Sequence, residues 1–199
     1  MQINPKAQLT FANVLRSILR QDPNIIMVGE IRDVETAQIA IRAAITGHIV
    51  ISTMHTNDSP STIIRLMDMG IEPYLLSSSI IGVISQRLVR KICPKCKISY
   101  QANEEEKILL GIRENMDLYR GTGCTYCNGT GYKGRTAVQE IMAIHEKLRS
   151  DIVRRSGIDI LRKTAIQQGM IPLKKACAQL VLSGITTVQE FLKVAYPIE

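Results

Sequence analysis

The stretch PNIIMVGEIRDVET, residues 23–36, decides the fold. Four apolar residues, Ile25 to Val28, run without alternation into a glycine and then an acid, Glu30. An apolar run of this length and pattern is typical of a strand buried on both faces of a parallel sheet. The stretch therefore predicts a buried strand whose carboxyl end carries a carboxylate.

Helical patterns flank this strand on both sides. Thr10 is expected to cap a helix that extends through Gln21, because apolar residues recur after it at helical spacing. Asp33 is expected to cap a second helix that stops at Gly47. Helix, strand and helix thus follow one another within the first quarter of the chain.

The alternation continues downstream. The segment HIVISTMH predicts a second strand, residues 49–53, and Ser59-Pro60 predicts the start of a further helix, with proline in the first turn. Such an order of elements indicates an α/β domain with a mainly parallel sheet.

The rest of the chain predicts two further regions. After Pro73 we expect a long apolar helix that ends near QRLVRKI, followed by a polar insert rich in Gly and Cys. From residue 136 onward the pattern is helical, and Thr187–Glu190 (TVQE) forms a capping box for a last short helix. The predicted domains are 1–92, 93–135 and 136–199.

Composition limits the functions that the chain can have. The net charge is +7 and the pI about 9.3, but the basic residues are scattered with little aromatic interleaving. This favours a solvated basic surface, leaves contact with phosphate or a membrane surface open, and argues against nucleic acid as a partner. No apolar run approaches the roughly 20 residues that span a bilayer, and no signal peptide is visible, so a cytosolic location is expected.

A basic cluster lies at the end of the predicted long helix: Arg87, Arg90 and Lys91. Cations complement a helix carboxyl terminus, and this is the simpler interpretation. The alternative is that Arg87 or Arg90 reaches a nucleotide or an acidic face of a neighbouring subunit.

Glu30 stands where an open parallel sheet binds ligands, beyond the carboxyl end of a strand. A carboxylate there can hold Mg²⁺ through water or orient the water that attacks a phosphate. The other interpretation is a surface acid paired with Arg32. The pattern alone does not decide between them.

Two histidines bracket the second strand. His48 precedes it and His55 follows it, so an extended segment places them at opposite ends and they cannot form one metal site. His55 is expected at the carboxyl end, level with Glu30 if the two strands are neighbours, where an imidazole can bond to a phosphate oxygen or to Glu30. For each histidine, a buried ring bonded to backbone is the alternative.

The cysteines predict a metal site. Two CxxC pairs, Cys93/Cys96 and Cys124/Cys127, are separated by 27 residues. In a chain without an export signal, this arrangement favours metal over disulfides. Four thiolates suit a closed, structural, tetrahedral Zn²⁺ site that would supply folding free energy to a small insert, and an iron–sulfur cluster or a disulfide pair are the alternatives. The fifth cysteine, Cys177, is expected to be a plain buried thiol.

Three motifs together resemble one family. MVGEIRDVET is similar to the Walker B segment of the secretion ATPase superfamily, TGHIVISTMHTND is similar to its histidine box, and GCTYCNGTGYKGR is similar to its tetracysteine element. The resemblance extends over essentially the whole chain and is strongest to the extension-type motors of type II secretion and type IV pilus assembly. It implies the carboxyl-terminal part of a RecA-like P-loop ATPase domain, with a zinc-binding insert and a helical subdomain.

The resemblance also implies roles for individual residues. Glu30 would be the catalytic or Mg²⁺-linked acid, and Arg32 and Asp33 would be its structural or subunit-coupling neighbours at the nucleotide. His48 and His55 would link the nucleotide site to motion. The cofactors implied are ATP and Mg²⁺ in the full-length protein, with structural zinc.

One departure from the family pattern limits these roles. No P-loop of the form GxxxxGK[ST] occurs in the 199 residues. The chain is therefore interpreted as the carboxyl-terminal half of a motor whose Walker A segment lies upstream, and we expect it to bind ATP weakly or not at all by itself.

The implied assembly is a homo-hexamer in the cytoplasm, peripheral to the inner membrane. Its partners would be an inner-membrane platform protein and a cytoplasmic membrane-recruiting protein, with no nucleic acid. Type II secretion is favoured over type IV pilus assembly. An ATPase-dead zinc-binding adaptor of such a machine is the alternative from another functional class.

Overall fold

The computed structural model describes residues 10–196, whose helices and strands alternate in the first part of the chain. The helices are α1 Phe11–Ile18, α2 Val34–Ile45, α3 Ser59–Asp68, α4 Pro73–Ser79, α5 Glu104–Leu110, α6 Glu146–Val153, α7 Ile158–Gln167, α8 Leu173–Leu182 and α9 Val188–Ala195. The strands are β1 Ile25–Val28, β2 Ile49–Ser52, β3 Gly82–Ile92, β4 Lys97–Gln101, β5 Asp117–Gly121 and β6 Tyr132–Ala143. The predicted α/β class is confirmed.

The chain divides into two compact units. The first comprises the chain up to Ile84 together with Ile141–Met170, and the second comprises Ser85–Glu140 with the chain from Ile171 onward. The cysteine segment and the last two helices thus lie in the same unit, whereas the sequence predicted separate domains there. The predicted boundaries at 92 and 135 stay a prediction.

In the first unit, β1 and β2 pair in parallel with Ile25 opposite Ile49 and Val28 opposite Ser52. The predicted caps of the two flanking helices are confirmed: Thr10 accepts from the Asn13 amide, and Asp33 accepts from the Thr36 amide. α1 and α2 pack on one face of the strand pair, and the core there consists of Leu15, Ile26, Val28, Ala40 and Ala43.

The expected burial of β1 on both faces is wrong for the described part of the chain. Ile26 and Val28 are buried, but Ile25 and Met27 between them are exposed, as are Ile49 and Ile51 on β2. The reason is that the described helices cover only one face of this two-stranded sheet.

The expected long helix after Pro73 is wrong. α4 ends at Ser79, and the chain continues as strand β3, which pairs with β6 in a two-stranded sheet. The segment that was expected to be helical from residue 136 is likewise extended as far as Ala143, and Val138, Glu140 and Met142 are buried in alternation with exposed neighbours. A period of two fits a strand, and the pairing of β3 with a segment about 50 residues away overrides the helical appearance of its apolar residues.

In the second unit, β4 and β5 form an antiparallel hairpin with Lys97 opposite Gly121 and Gln101 opposite Asp117. The core of this unit draws on β3, β5, β6, α8 and α9, and its largest fully buried side chain is Phe191. Among the described residues, no helix is long and apolar enough to cross a membrane.

Candidate functional site

The carboxyl ends of β1 and β2 form one edge of the first unit. Glu30 lies two residues beyond the end of β1, and His55 lies three residues beyond the end of β2. The two loops are joined, since the Ile31 amide donates to the Thr53 carbonyl at 3.0 Å and the Thr53 hydroxyl donates to the Gly29 carbonyl at 2.7 Å. This edge therefore brings together the acid and the histidine that the sequence placed on neighbouring strands.

Glu30 contacts both predicted neighbours. Its Oε2 lies 2.6 Å from Nε of Arg32 and 3.5 Å from Nε2 of His55. The hydrogen bond from Arg32 holds the pKa of the Glu30 carboxyl below its usual value; partial burial opposes this effect, and the charges of Arg32 and His55 add to it. Glu30 is therefore a carboxylate at neutral pH, suited to accept hydrogen bonds, to hold a cation through water or to take a proton.

The structure shows that Glu30 is paired with Arg32, as the simpler interpretation expected. The pair lies beyond the carboxyl end of β1, where the functional interpretation placed the acid, and the catalytic role of Glu30 stays a prediction. The side chain is 23% exposed, whereas those of Arg32 and His55 are mostly exposed, so the group faces solvent at the strand ends.

Asp33 has a local structural function. One carboxylate oxygen accepts the Thr36 amide at 2.8 Å, and the other accepts the Thr36 hydroxyl at 2.9 Å. This is the geometry of a helix cap, and both oxygens are occupied by it. The cofactor-binding role that the resemblance implies for Asp33 stays a prediction.

His48 lies at the other end of β2, away from Glu30 and His55. Its Nδ1 is 3.0 Å from the Ala43 carbonyl and 3.3 Å from the Thr46 hydroxyl. A carbonyl can only accept, so Nδ1 carries the proton in this bond. The predicted separation of the two histidines is confirmed, and the link between His48 and nucleotide-driven motion stays a prediction.

The loop that carries His55 is anchored by a pair that the sequence analysis missed. Asp58 caps α3 by accepting the Ser61 amide at 2.9 Å, and Nη2 of Arg162 lies 2.7 Å from its other oxygen. Burial raises the pKa of Asp58, but the bonds from Ser61 and Arg162 prevail and lower it. An aspartate just before Ser-Pro is a recognisable cap signal, whereas nothing in the sequence indicates a partner 104 residues away.

The four predicted cysteine ligands converge in the second unit. Their Sγ atoms all lie within 4.8 Å of one another, with 3.8 Å between Cys93 and Cys124 and 3.9 Å between Cys96 and Cys127. These separations are about twice the length of a disulfide bond, and all four thiols are free. The predicted cluster is confirmed as a group that could hold a metal ion.

Backbone groups hold the cluster in shape. The amides of Cys124 and Gly131 both donate to Sγ of Cys127 at 3.2 Å, and these bonds lower the pKa of that thiol to about 6 although burial alone would raise it. Gly131 has φ +76°, and a Cβ there would lie 2.6 Å from the Gly121 carbonyl oxygen, so only glycine fits this position. The knuckle is thus shaped to stabilise a thiolate.

An ion pair with a buried acid joins β3 to α9 in the second unit. The Arg90 amide and guanidinium both donate to Glu190, whose side chain is 4% exposed, and the guanidinium lies 3.8 Å from the centre of the Tyr132 ring. Arg90 thus lies on strand β3 and is paired with Glu190 of the same chain. The expectation that the basic cluster of Arg87, Arg90 and Lys91 ends a helix is therefore wrong. Cys177 is a buried free thiol, as predicted, and burial raises its pKa to about 11.

Comparison with known proteins gives consistent matches. A family model described as "Type II/IV secretion system protein" matches residues 1–193. The type IV pilus assembly ATPase PilB of Thermus thermophilus is 48% identical over 195 residues, which are 96% of this chain and 22% of that protein. The type II secretion system ATPase E of Vibrio cholerae is 46% identical over 195 residues, 97% of this chain and 39% of that protein.

Solved structures match at the level of the fold. The pilus retraction motor PilT with bound ADP has a TM-score of 0.66 at 27% identity, over 95% of this chain and 44% of that chain. The ATPase DotB of Legionella pneumophila has a TM-score of 0.65 at 22% identity. The chain spans between about a fifth and two fifths of the length of the curated relatives named above.

Proposed function

Because the chain belongs to the type II/IV secretion system protein family, we propose that it carries the catalytic carboxylate of an ATP-hydrolysing motor and that this carboxylate is that of Glu30. The observation that supports this is the convergence of Glu30, Arg32 and His55 at the carboxyl edge of a parallel strand pair. This is the edge at which open α/β sheets bind ligands.

The residues of the edge fit a nucleotide-bound Mg²⁺. Glu30 is ionised and solvent-facing, so it can accept hydrogen bonds from water bound to the cation or from the attacking water. His55, 3.5 Å away, can donate to a phosphate oxygen or to Glu30. Mg²⁺ when bound would neutralise phosphate charge, and the groups that cradle the phosphates must come from outside these 199 residues, which contain no P-loop.

The test uses a chimera in which this chain replaces the matching segment of the Vibrio cholerae relative. We expect Glu30→Gln to lower the rate of ATP hydrolysis at least about 100-fold, the range for loss of a positioned acid or base, while ATP binding is retained. Glu35→Gln is the matched control, because Glu35 is an exposed acid paired with Arg16 outside the edge. Normal turnover by the Glu30 variant would remove this residue from the chemistry.

We further propose that the four cysteines hold structural Zn²⁺. Tetrahedral coordination at roughly 2.3 Å per bond requires sulfur atoms about 3.8 Å apart. Three of the six separations between Sγ atoms are 3.7–3.9 Å, and all six are within 4.8 Å. Metal analysis of the purified chain should give one zinc per chain. Charge-transfer absorption in the visible range with stoichiometric iron would favour an iron–sulfur cluster instead.

For the whole protein we propose a homo-hexamer in the cytoplasm, peripheral to the inner membrane through a platform protein and a membrane-recruiting protein. The relatives are named for both type II secretion and type IV pilus assembly at nearly equal identity, 46% and 48%, and the motif resemblance favours secretion. A second chimera places this chain in the type IV pilus relative of Thermus thermophilus, and restoration of export by the first chimera without restoration of piliation by the second would support this assignment.

A second candidate is an ATPase-dead zinc-binding adaptor. The observation in its favour is that the tetracysteine cluster is complete in this chain, whereas the phosphate-binding loop is absent from it. Nucleotide-independent co-purification of the chain with a motor or platform protein, together with no turnover in the chimera, would favour the adaptor.

A further inference from the structure

The pairing of β1 with β2 slips by one residue at Glu30. Within the strands, Ile25 lies opposite Ile49, and the Ile49 amide donates to the Asn24 carbonyl. If this register continued, the carbonyl of Thr53 would accept from the amide of residue 30. It accepts instead from the amide of Ile31 at 3.0 Å, so the first strand carries one extra residue at this point.

Gly29 and Glu30 therefore lie together opposite Thr53, where a regular register would place one residue. A bulge of one residue bends the strand and changes the direction of the side chains at that point, and bulges are frequent beside active sites for this reason. Here the bulge lies at the strand end, where the Glu30 carboxylate meets Arg32 and His55.

One residue, Thr53, closes the bulge with its hydroxyl and its backbone carbonyl. The peptide group before Glu30 is held through the Gly29 carbonyl, which accepts the Thr53 hydroxyl at 2.7 Å. The peptide group after Glu30 is held through the Ile31 amide, which donates to the Thr53 carbonyl. Both peptide groups that flank the acid are therefore tied to Thr53, whose own loop leads two residues later to His55.

We propose that Thr53 is a positioning residue for Glu30: its hydroxyl fixes the bulge and thereby sets the direction of the carboxylate relative to His55. This inference rests on the proposed role of Glu30 in ATP hydrolysis. The bonds of Thr53 are to the backbone on either side of the acid, so its expected effect is on the geometry of the reaction rather than on the binding of nucleotide.

The test compares three variants in the chimera described above. Thr53→Val keeps the shape and removes the hydroxyl, Thr53→Ser keeps the hydroxyl, and Ser78→Ala is the control. Ser78 is a matched control because its hydroxyl also donates to a backbone carbonyl, that of Tyr74, at 2.7 Å and in an exposed position. Thr53 is itself exposed, so its substitution leaves the core intact.

We expect Thr53→Val to lower kcat between about 10-fold and 100-fold with KM and ATP binding within twofold, the effect of a small misplacement of a catalytic group. Thr53→Ser should restore kcat, and Ser78→Ala should leave it unchanged. In the 199-residue chain, amide hydrogen exchange of Ile31 should accelerate in the valine variant and not in the serine variant.

The outcomes separate the two proposals. If Glu30→Gln abolishes turnover while Thr53→Val leaves kcat unchanged, Thr53 has no positioning role and the proposed function stands. An equal loss in the valine and serine variants would also overturn the inference, because the hydroxyl would not be the group that matters. If Glu30→Gln hydrolyses ATP normally, the proposed function fails, and the positioning role of Thr53 fails with it.

Discussion

The two units of the chain differ in how many residues of their candidate sites, the edge at Glu30 and the cysteine cluster, come from this chain. In the second unit, all four cysteine ligands, the glycines that shape the knuckle and the buried Arg90–Glu190 pair come from the chain itself. In the first unit, the edge at Glu30 opens to solvent, and one face of the β1–β2 pair is exposed in the described part of the chain. The cysteine cluster can therefore be tested in this chain alone, whereas the proposed role of the edge at Glu30 is tested in the chimera, which supplies the rest of an ATPase.

The largest effect should follow removal of the proposed zinc ion from the second unit. We expect a chelator, or Cys124→Ser, to unfold this unit, because structural zinc contributes on the order of 10 kcal/mol of folding free energy to small domains. Circular dichroism and amide hydrogen exchange of α8 and α9 would measure the loss. Cys177→Ala is the control, since Cys177 is buried apart from the cluster and its substitution should leave the zinc content at one per chain.

A second unit that kept its structure without metal would weaken the contrast between the two units. The core around Phe191 would then be sufficient for folding, and the cysteines would serve a purpose other than stability.

The next largest effect should come from the buried ion pair. Glu190→Ala leaves the Arg90 guanidinium without its partner, and we expect a loss of about 3 kcal/mol in the free energy of unfolding of the second unit. The estimate is at the low end for buried pairs because the Arg90 side chain is 42% exposed. Chemical denaturation would measure the loss, and Glu104→Ala, which removes an 85% exposed acid paired with Lys107, should cost less than about 1 kcal/mol.

The sequence predicted those parts of the molecule that depend on neighbouring residues. The two CxxC knuckles, the caps at Thr10 and Asp33, and the acid at a strand end all follow from residues a few positions apart. The meeting of Glu30 with His55 was predictable because adjacent parallel strands end at the same edge.

What could not be predicted depends on residues far apart in the chain. The spacing of apolar residues in β3 also suits a helix. The segment forms a strand because it pairs with β6, about 50 residues later in the chain. The Arg90–Glu190 pair joins residues 100 positions apart. Taken separately, each of the two residues predicts only an ordinary charged side chain at the surface. The bulge at Glu30 depends on the register between two strands, which neither strand encodes by itself.

A smaller effect is the pH dependence of the stability that the Arg90–Glu190 ion pair contributes. Bonds from Arg90 and Lys193 hold the pKa of Glu190 below 4.5 in the folded protein although burial opposes this. A depressed carboxyl pKa contributes stability that is fully present above the unfolded value and is lost as the pH falls through the folded value. As the pH falls below the ordinary glutamate pKa of about 4.3, the free energy of unfolding should therefore decrease less in Glu190→Gln than in the unsubstituted chain. Parallel curves for the two proteins in urea titrations across this range would contradict the assignment.

The smallest effect should come from Met27, on the exposed face of the first unit, and its buried neighbour on β1, Ile26, provides the comparison. Ile26 is buried and Met27 is 74% exposed. Ile26→Ala should cost about 2–4 kcal/mol in the free energy of unfolding, whereas Met27→Ala should change it by less than about 0.5 kcal/mol, because little apolar area leaves water at that position. In the chimera, however, any segment that packs on this face would bury Met27, and the cost of the same substitution should rise toward that of Ile26→Ala. A difference between the chain and the chimera for Met27, with none for Ile26, would show that the open sheet face is completed by protein outside these residues; equal small costs in both would show that the face stays open to solvent.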